Sequence, residues 1–424
     1  MNPVYLYRKI LSFNNYHFKM TSIILLSIFS YCVCLAQNGP QVDITGKGVR
    51  PSDNNDDSKA IQEVINQAKR GTVLFFPAGV YLIDAPIQIA VNGITLRGED
   101  STIFRFTNKI DYYAQYGTRV GMINVCADNI TIDRLYLEEN YSASGRVDGQ
   151  RALIAGIMMG CKYAGKPVHT KNITITNCTV YDYYGDAVSV FNSTVRNFTV
   201  TNNTFISSYI VGKWKSAGPE GEQAINVYSG DSITISHNTI KGALDDAIAI
   251  HTNSSKVTIT DNNITTTGGR ILLNGIKDGY VAGNSIDLIE AATSGIWITY
   301  LWFNNGEKFV PNDNLVVTKN KIFVEKGVKA VSGIRLWGPG VNVTVSDNTI
   351  ETADKQGIGI EIMDRKLRKV QASYFGDNIT ISNNTINNFK TGIMRNISDR
   401  VKTPLIKIEN NKSLNVDKDF DNIQ

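Results

Sequence analysis

Asp245 and Asp246 stand side by side in the stretch ALDDAIAIH, and they are the residues most capable of chemistry in this chain. Two carboxyl groups that close together resist ionising at the same time, so one is expected to keep its proton into the neutral range. A retained proton beside a free carboxylate is the pairing that general acid–base catalysis needs. Further acids occupy comparable places one and two repeats earlier, Glu222 and Asp186. Aromatic and basic residues recur at matching positions nearby: Tyr228, His251, Arg270, Trp297, Arg335 and Trp337. Carboxylates, guanidinium groups and aromatic faces in one groove suit an oligosaccharide, whose rings stack on Trp and Tyr. On this reading Asp245 is the acid, and Asp246 acts as base with Asp186 or Glu222. His251, Arg335, Arg270, Tyr228, Trp297, Trp337 and Glu222 contact the substrate.

The surrounding elements are short strands. QAINVYSG, SITISHNTI and DDAIAIH each alternate apolar and polar residues with a period of two, so one face of each points inward. An Asn marks each recurrence: Asn203, Asn238, Asn262, Asn284, Asn320, Asn348, Asn384 and Asn411, spaced by 35, 24, 22, 36, 28, 36 and 27 residues. The shorter gaps fit one bare turn of a three-strand coil, and the longer ones carry an insertion. Such a coil cannot bury its apolar face alone and must stack on its neighbours. The expected fold is all-β: a single-stranded right-handed parallel β-helix of about ten coils with an N-terminal capping α-helix. Stacked Asn side chains would bond from coil to coil.

Aligning the coils gives an inward column of Val188, Ile225, Ile248, Ile271, Ile296, Ile334, Ile358 and Ile393. The outward columns hold Tyr228, His251, Trp297, Arg335 and Trp337, and the strand-entry column holds Asp186 and Asp246. The longest insertions, 207–221 and 300–314, fall at the same coils and would wall a groove.

Residues Thr21–Ala36 form an apolar run after Arg8, Lys9 and Lys19, with no acid before Asp43. This has the form of a secretory signal covering residues 1–36, with Met1 or Met20 as the start. Residues 37–424 then form one domain: a cap over 38–72, coils over 73–414 and a polar tail over 415–424. Of the 43 Lys and Arg, three lie in the leader, leaving 40 against 39 acids. A nearly neutral mature chain gives no support to a nucleic-acid partner, and no membrane insertion is expected after cleavage. The expected location is periplasmic or extracellular, as a monomer or trimer. Cys126, Cys161 and Cys178 form no disulfide framework by spacing, and buried single thiols are the simpler expectation.

The opening NDDSKAIQEVINQAKRGTVLFFPAGVYLI, a helix followed by two strands about Pro77 and Gly79, resembles the N-terminal cap of the secreted pectate-lyase-like β-helix superfamily. The stretch EQAINVYSGDSITISHNTIKGALDDAIAIHTNSSKVTITDNNI resembles the catalytic coils of polygalacturonase-type glycoside hydrolases, family 28. Asp245 and Asp246 fall on that family's paired Asp, which there supply the general acid and a base. Arg335 in GIRLW falls on the Arg of its R-I-K motif. Gln223 takes the place of a further Asp, Gly269 that of a His and Trp337 that of a Lys.

Three functions follow from these features. The first is a glycoside hydrolase, which needs no cofactor or metal. The second is a polysaccharide lyase, in which Arg270, Arg335, Lys329 or His251 neutralises a uronate or removes its C5 proton and the acids hold calcium. The third is a glycan-binding surface β-helix without catalysis. All three share a polysaccharide or oligosaccharide partner.

Overall fold

In the computed structural model, the described residues are 40–107, 120–142, 154–160, 168–191, 193–212, 223–290, 293–303, 308–328, 331–366, 373–374, 376–397 and 405–423. The leader, Glu222, Lys329 and Cys161 therefore lie outside them. Short strands wind through three parallel sheets of 13, 12 and 12 strands, a right-handed parallel β-helix. Sheet I runs from Gln41–Asp43 to Ile406–Glu409, sheet II from Gly79–Ile83 to Lys412–Leu414, and sheet III from Ile87–Ile89 to Lys418–Ile423. The stack is thus longer than about ten coils. The segment expected as a polar tail contributes its final strand, Lys418–Ile423, paired with Thr391–Asn396.

The marker Asn residues do what their recurrence suggested. Nδ2 of Asn203 donates to Oδ1 of Asn238 at 3.0 Å, and the same bond repeats at 2.8–3.0 Å through Asn262, Asn284, Asn320, Asn348 and Asn384 to Asn411. Each Oδ1 also accepts the backbone N–H of the preceding coil's Asn, so turns that would strand buried donors are satisfied. The residue before each of these Asn sits at positive φ, for example Asn202 at 57°, His237 at 56°, Asp261 at 56° and Gly283 at 69°. This conformation favours Asn, Asp and Gly, which explains most of the residue types found there.

The helix Ser58–Gln67 buries Ile61, Val64 and Ile65 against the first coil. Its Gln62 amide donates to the Gln88 carbonyl at 2.9 Å and accepts the Gln88 N–H at 2.8 Å, completing the outer edge of strand Ile87–Ile89. An edge paired in this way offers no template to another strand. Cys178 is a buried free thiol, as expected, whereas Cys126 is disulfide-bonded. Among the described residues, no helix is long and apolar enough to cross a membrane.

The core runs along the axis. Val188, Ile225, Ile248, Ile271, Ile296 and Ile334 align as expected, but the next partner is Ile360 rather than Ile358. GIGIEIM offers isoleucines two residues apart, so the periodicity cannot separate these registers. The slip of two residues replaces Gly359 with Glu361 beside Arg335.

Candidate active site

The candidate residues lie on the outer side of sheet III and on the turns that lead into it from sheet II. Sheets I and II expose part of their outer faces, but the middle of sheet III is covered on both sides. Strands Asp186–Val190, Gln223–Val227 and Ile248–Ile250 are buried at every position. The open groove expected from the outward parity is therefore lined largely by buried groups.

Arg270 organises the centre. Its Nε lies 2.9 Å from Oδ1 of Asp246, and its Nη2 lies 3.8 Å from Oδ1 of Asp245. Nη1 donates to Thr293 Oγ1 at 3.0 Å, and the guanidinium carbon sits 4.3 Å from the centre of the Trp297 ring. Asp246 is 2% exposed, whereas the Asp245 side chain is 37% exposed and accepts the Gln223 amide at 3.0 Å. Burial, with the charge of Asp245 added, pushes the Asp246 carboxyl up to about 8 despite Arg270. Removing water from the carboxylate outweighs the attraction of one neighbouring guanidinium. His251 is also buried, and desolvation lowers it to about 4, so its imidazole is neutral at neutral pH.

Asp186 lies on the strand two coils before Asp246. Ser189 Oγ donates to it at 2.6 Å and Asn226 Nδ2 at 3.1 Å. Tyr228 and His251 stack with ring centres 4.4 Å apart, and Phe191 meets Tyr228 edge-on at 5.1 Å. Trp297 and Trp337 stack at 5.5 Å. By coil order Trp297 lies between Arg270 and Trp337, so its faces pack within the protein and leave no broad platform for a sugar ring. A coil rise of roughly 4.8 Å makes such ring-on-ring columns the natural packing for aligned aromatics. Arg335, expected as a substrate contact, donates from Nε to Glu361 at 2.6 Å, and Ser332 Oγ also bonds Glu361.

A second feature joins these residues. Gln223 Oε1, Asn226 Oδ1, Asp246 Oδ1, His251 Nε2, Arg270 Nε, Asn274 Oδ1, Ser294 Oγ and Trp297 Nε1 are buried without a hydrogen-bond partner. The Asp246–Arg270 contact is short but bent out of hydrogen-bond geometry. Buried polar atoms are normally paired, so this concentration on neighbouring coils, beyond the Asp246–Arg270 ion pair, marks positions for ordered water or for the hydroxyls of a ligand that enters among them.

The structure thus brings Asp245, Asp246, Arg270 and Trp297 into contact, with Trp337 and Arg335 beside Trp297, Asp186 at one end and Tyr228 and His251 along the strand exit. Asn226, Asn274, Ser294 and Glu361 were missed: uncharged polar residues in an alternating strand carry no signal of their own, and Glu361 was hidden by the register slip. Gly269, where the resemblance to polygalacturonase-type hydrolases would put a His, has no space for a side chain. A Cβ there would lie 2.5 Å from Thr266 Oγ1 and 2.9 Å from the Ala247 nitrogen. Among the described residues, no group of three or more His, Cys, Asp or Glu side chains is placed to hold a metal ion.

The sequence matches the family described as right handed beta helix region over residues 86–220 and 219–361. The chain belongs to this β-helix family. Residues 41–125 of this β-helix also match the family described as rhamnogalacturonase A/epimerase, pectate lyase-like. No curated protein matches it in sequence. Among solved structures it is similar to PfbA, a surface adhesin of Streptococcus pneumoniae, at TM-score 0.64 and 18% identity, covering 89% of this chain and 91% of that one. It is similar to an endo-xylogalacturonan hydrolase from Aspergillus tubingensis at TM-score 0.59 and 13% identity, covering 87% and 100%. It is also similar to the A-module of mannuronan C-5 epimerase AlgE6 from Azotobacter vinelandii at TM-score 0.57 and 17% identity, covering 90% and 99%. Likeness at these identities concerns the fold.

Proposed function

We propose that this β-helix is an exported carbohydrate-active protein, a glycoside hydrolase that cleaves a polysaccharide on the outer side of sheet III. The observation that carries the reading is the division of labour inside the acid pair. Asp246 is buried and keeps a proton at neutral pH, while Asp245 is the accessible carboxylate of the two. This reverses the roles that adjacency alone suggested. Asp246 donates its proton to the glycosidic oxygen as the C–O bond breaks, and Asp245 takes a proton from the water that attacks the anomeric carbon. Asp246 ends as a carboxylate and Asp245 as an acid, and one proton transfer through solvent restores the pair. Arg270 touches both groups and steadies whichever one is charged. The hydrolase and the epimerase among the structural neighbours agree with a glycan as partner.

Asp245→Asn keeps shape and hydrogen-bonding reach but removes the base. Turnover, measured as new reducing ends on a glycan panel, should fall at least ~100-fold with normal folding. Full activity in this variant would remove Asp245 from the mechanism, and full activity in Asp246→Asn as well would remove the pair. Products absorbing in the unsaturated-uronate band would replace hydrolysis by β-elimination. Binding without turnover is the second reading, and the 2% exposure of Asp246 favours it, since a buried acid reaches substrate only if the ligand enters deeply.

A further inference from the structure

The charges and the hydrogen-bonding polarity of the site bear on which sugars it can hold. Among the described residues of the site, both guanidinium groups already face carboxyls. Arg270 touches Asp246 and Asp245, and Arg335 is bonded to Glu361. Side-chain exposures of 13% for Arg270 and 19% for Arg335 leave little of either for an incoming anion. His251 is stacked on Tyr228 and adds no charge at neutral pH. The charge around Arg270 is therefore zero, or negative if both of its acids ionise. The most accessible charge beside it is the Asp245 carboxylate.

The unpartnered atoms point the same way. Gln223 turns its amide nitrogen to the Asp245 carboxylate, and Asn226 turns its amide nitrogen to Asp186. Both carboxyl oxygens accept these N–H donors, so each amide that turns its nitrogen to one leaves its own carbonyl oxygen facing away. Those oxygens, with Asn274 Oδ1, are buried and lack donors. A sugar hydroxyl that enters among these solvent-closed atoms supplies a donor to each, whereas a carboxylate or sulfate supplies none and adds a like charge beside Asp245.

From these two observations we infer that the site takes an uncharged glycan, recognised through its hydroxyl groups, and excludes uronate and sulfated polymers. This inference rests on the proposed glycan-cleaving site but concerns binding, so it is tested apart from turnover. The protein in its Asp246→Asn form, which is not expected to cleave and keeps the Asp245 carboxylate, is titrated calorimetrically with neutral xylan, galactan and α-glucan oligosaccharides. The same titrations use polygalacturonate, alginate, a sulfated glycan and carboxyl-reduced polygalacturonate. The last keeps the backbone and linkage of its parent and replaces each carboxylate by a hydroxymethyl group.

At least one neutral glycan should bind ~10-fold or more tightly than any anionic one, with affinity insensitive to salt. The reduced polymer should bind better than its uronate parent. Glu361→Gln, which frees Arg335, should raise uronate binding several-fold in low salt. Tighter binding of polyuronate than of its reduced form, no binding of any neutral glycan, or no gain from Glu361→Gln would each overturn the inference. Neutral binding by the unsubstituted protein without new reducing ends would instead sink the hydrolase reading and leave the ligand class standing.

Discussion

Replacing Asp246 with Asn separates a buried proton donor from a buried ion pair. In the folded chain burial holds this carboxyl at about 8, against an ordinary value of 3.8. Between those pH values the folded state keeps a proton that the unfolded chain releases. A raised folded pKa means the contribution to stability is complete below pH 3.8 and is lost as pH climbs through about 8. Each pH unit inside that window costs ~1.4 kcal/mol, so the full window amounts to several kcal/mol. Asn has the same shape and no titrating proton, so the variant lacks this slope. The other ionisable groups act on both proteins, and the difference between the two isolates Asp246. Urea midpoints followed by circular dichroism across the acidic and alkaline ranges give that difference. The variant should gain on the unsubstituted protein steadily up to about pH 8 and then hold a constant margin. Its turnover should fall at least ~100-fold, and turnover of the unsubstituted enzyme should decline above about pH 8. Parallel stability curves would mean that folding leaves the Asp246 carboxyl unshifted, and hence ionised at neutral pH, and would end its role as proton donor.

The scaffold gives further expectations. Asn262→Ala removes four side-chain hydrogen bonds from the middle of the ladder, among them the acceptor for the buried Asn238 N–H. It should cost about 3–5 kcal/mol in urea unfolding, and less than 1 kcal/mol would refute the ladder's role. Asn411→Ala, at the half-buried end of the same ladder, should cost less because water can replace its bonds. Gly333→Ala would place a Cβ 2.1 Å from Ile350 Cγ2 and 2.7 Å from the Gly359 carbonyl. A loss of ~1–3 kcal/mol is expected, and unchanged thermal melting would mean that the corner between sheets II and III repacks freely.

The Asn ladder and the inward Ile column were legible in the sequence because both are periodic, and in a solenoid each coil contacts only its neighbours. A recurrence in the chain thus becomes a contact in space. The helix Ser58–Gln67 was legible from its apolar stripe. The acid pair was legible as well, since two carboxyls adjacent in sequence are adjacent in any fold. Which of them keeps the proton was not: that depends on burial, and only the packing of sheet III puts Asp246 at 2% exposure and leaves Asp245 37% exposed at the side chain. The partners of the two arginines were also decided by the fold. Arg270 reaches back one coil to Asp246, and a two-residue slip in GIGIEIM brings Glu361 to Arg335. Alternation gives the parity of a strand, but a shift of two residues preserves parity, so only the paired backbones set which side chains meet. Aromatic rings were expected as open platforms. Stacked coils lie so close that the rings pack on one another, and the carboxylate left most open beside them is Asp245.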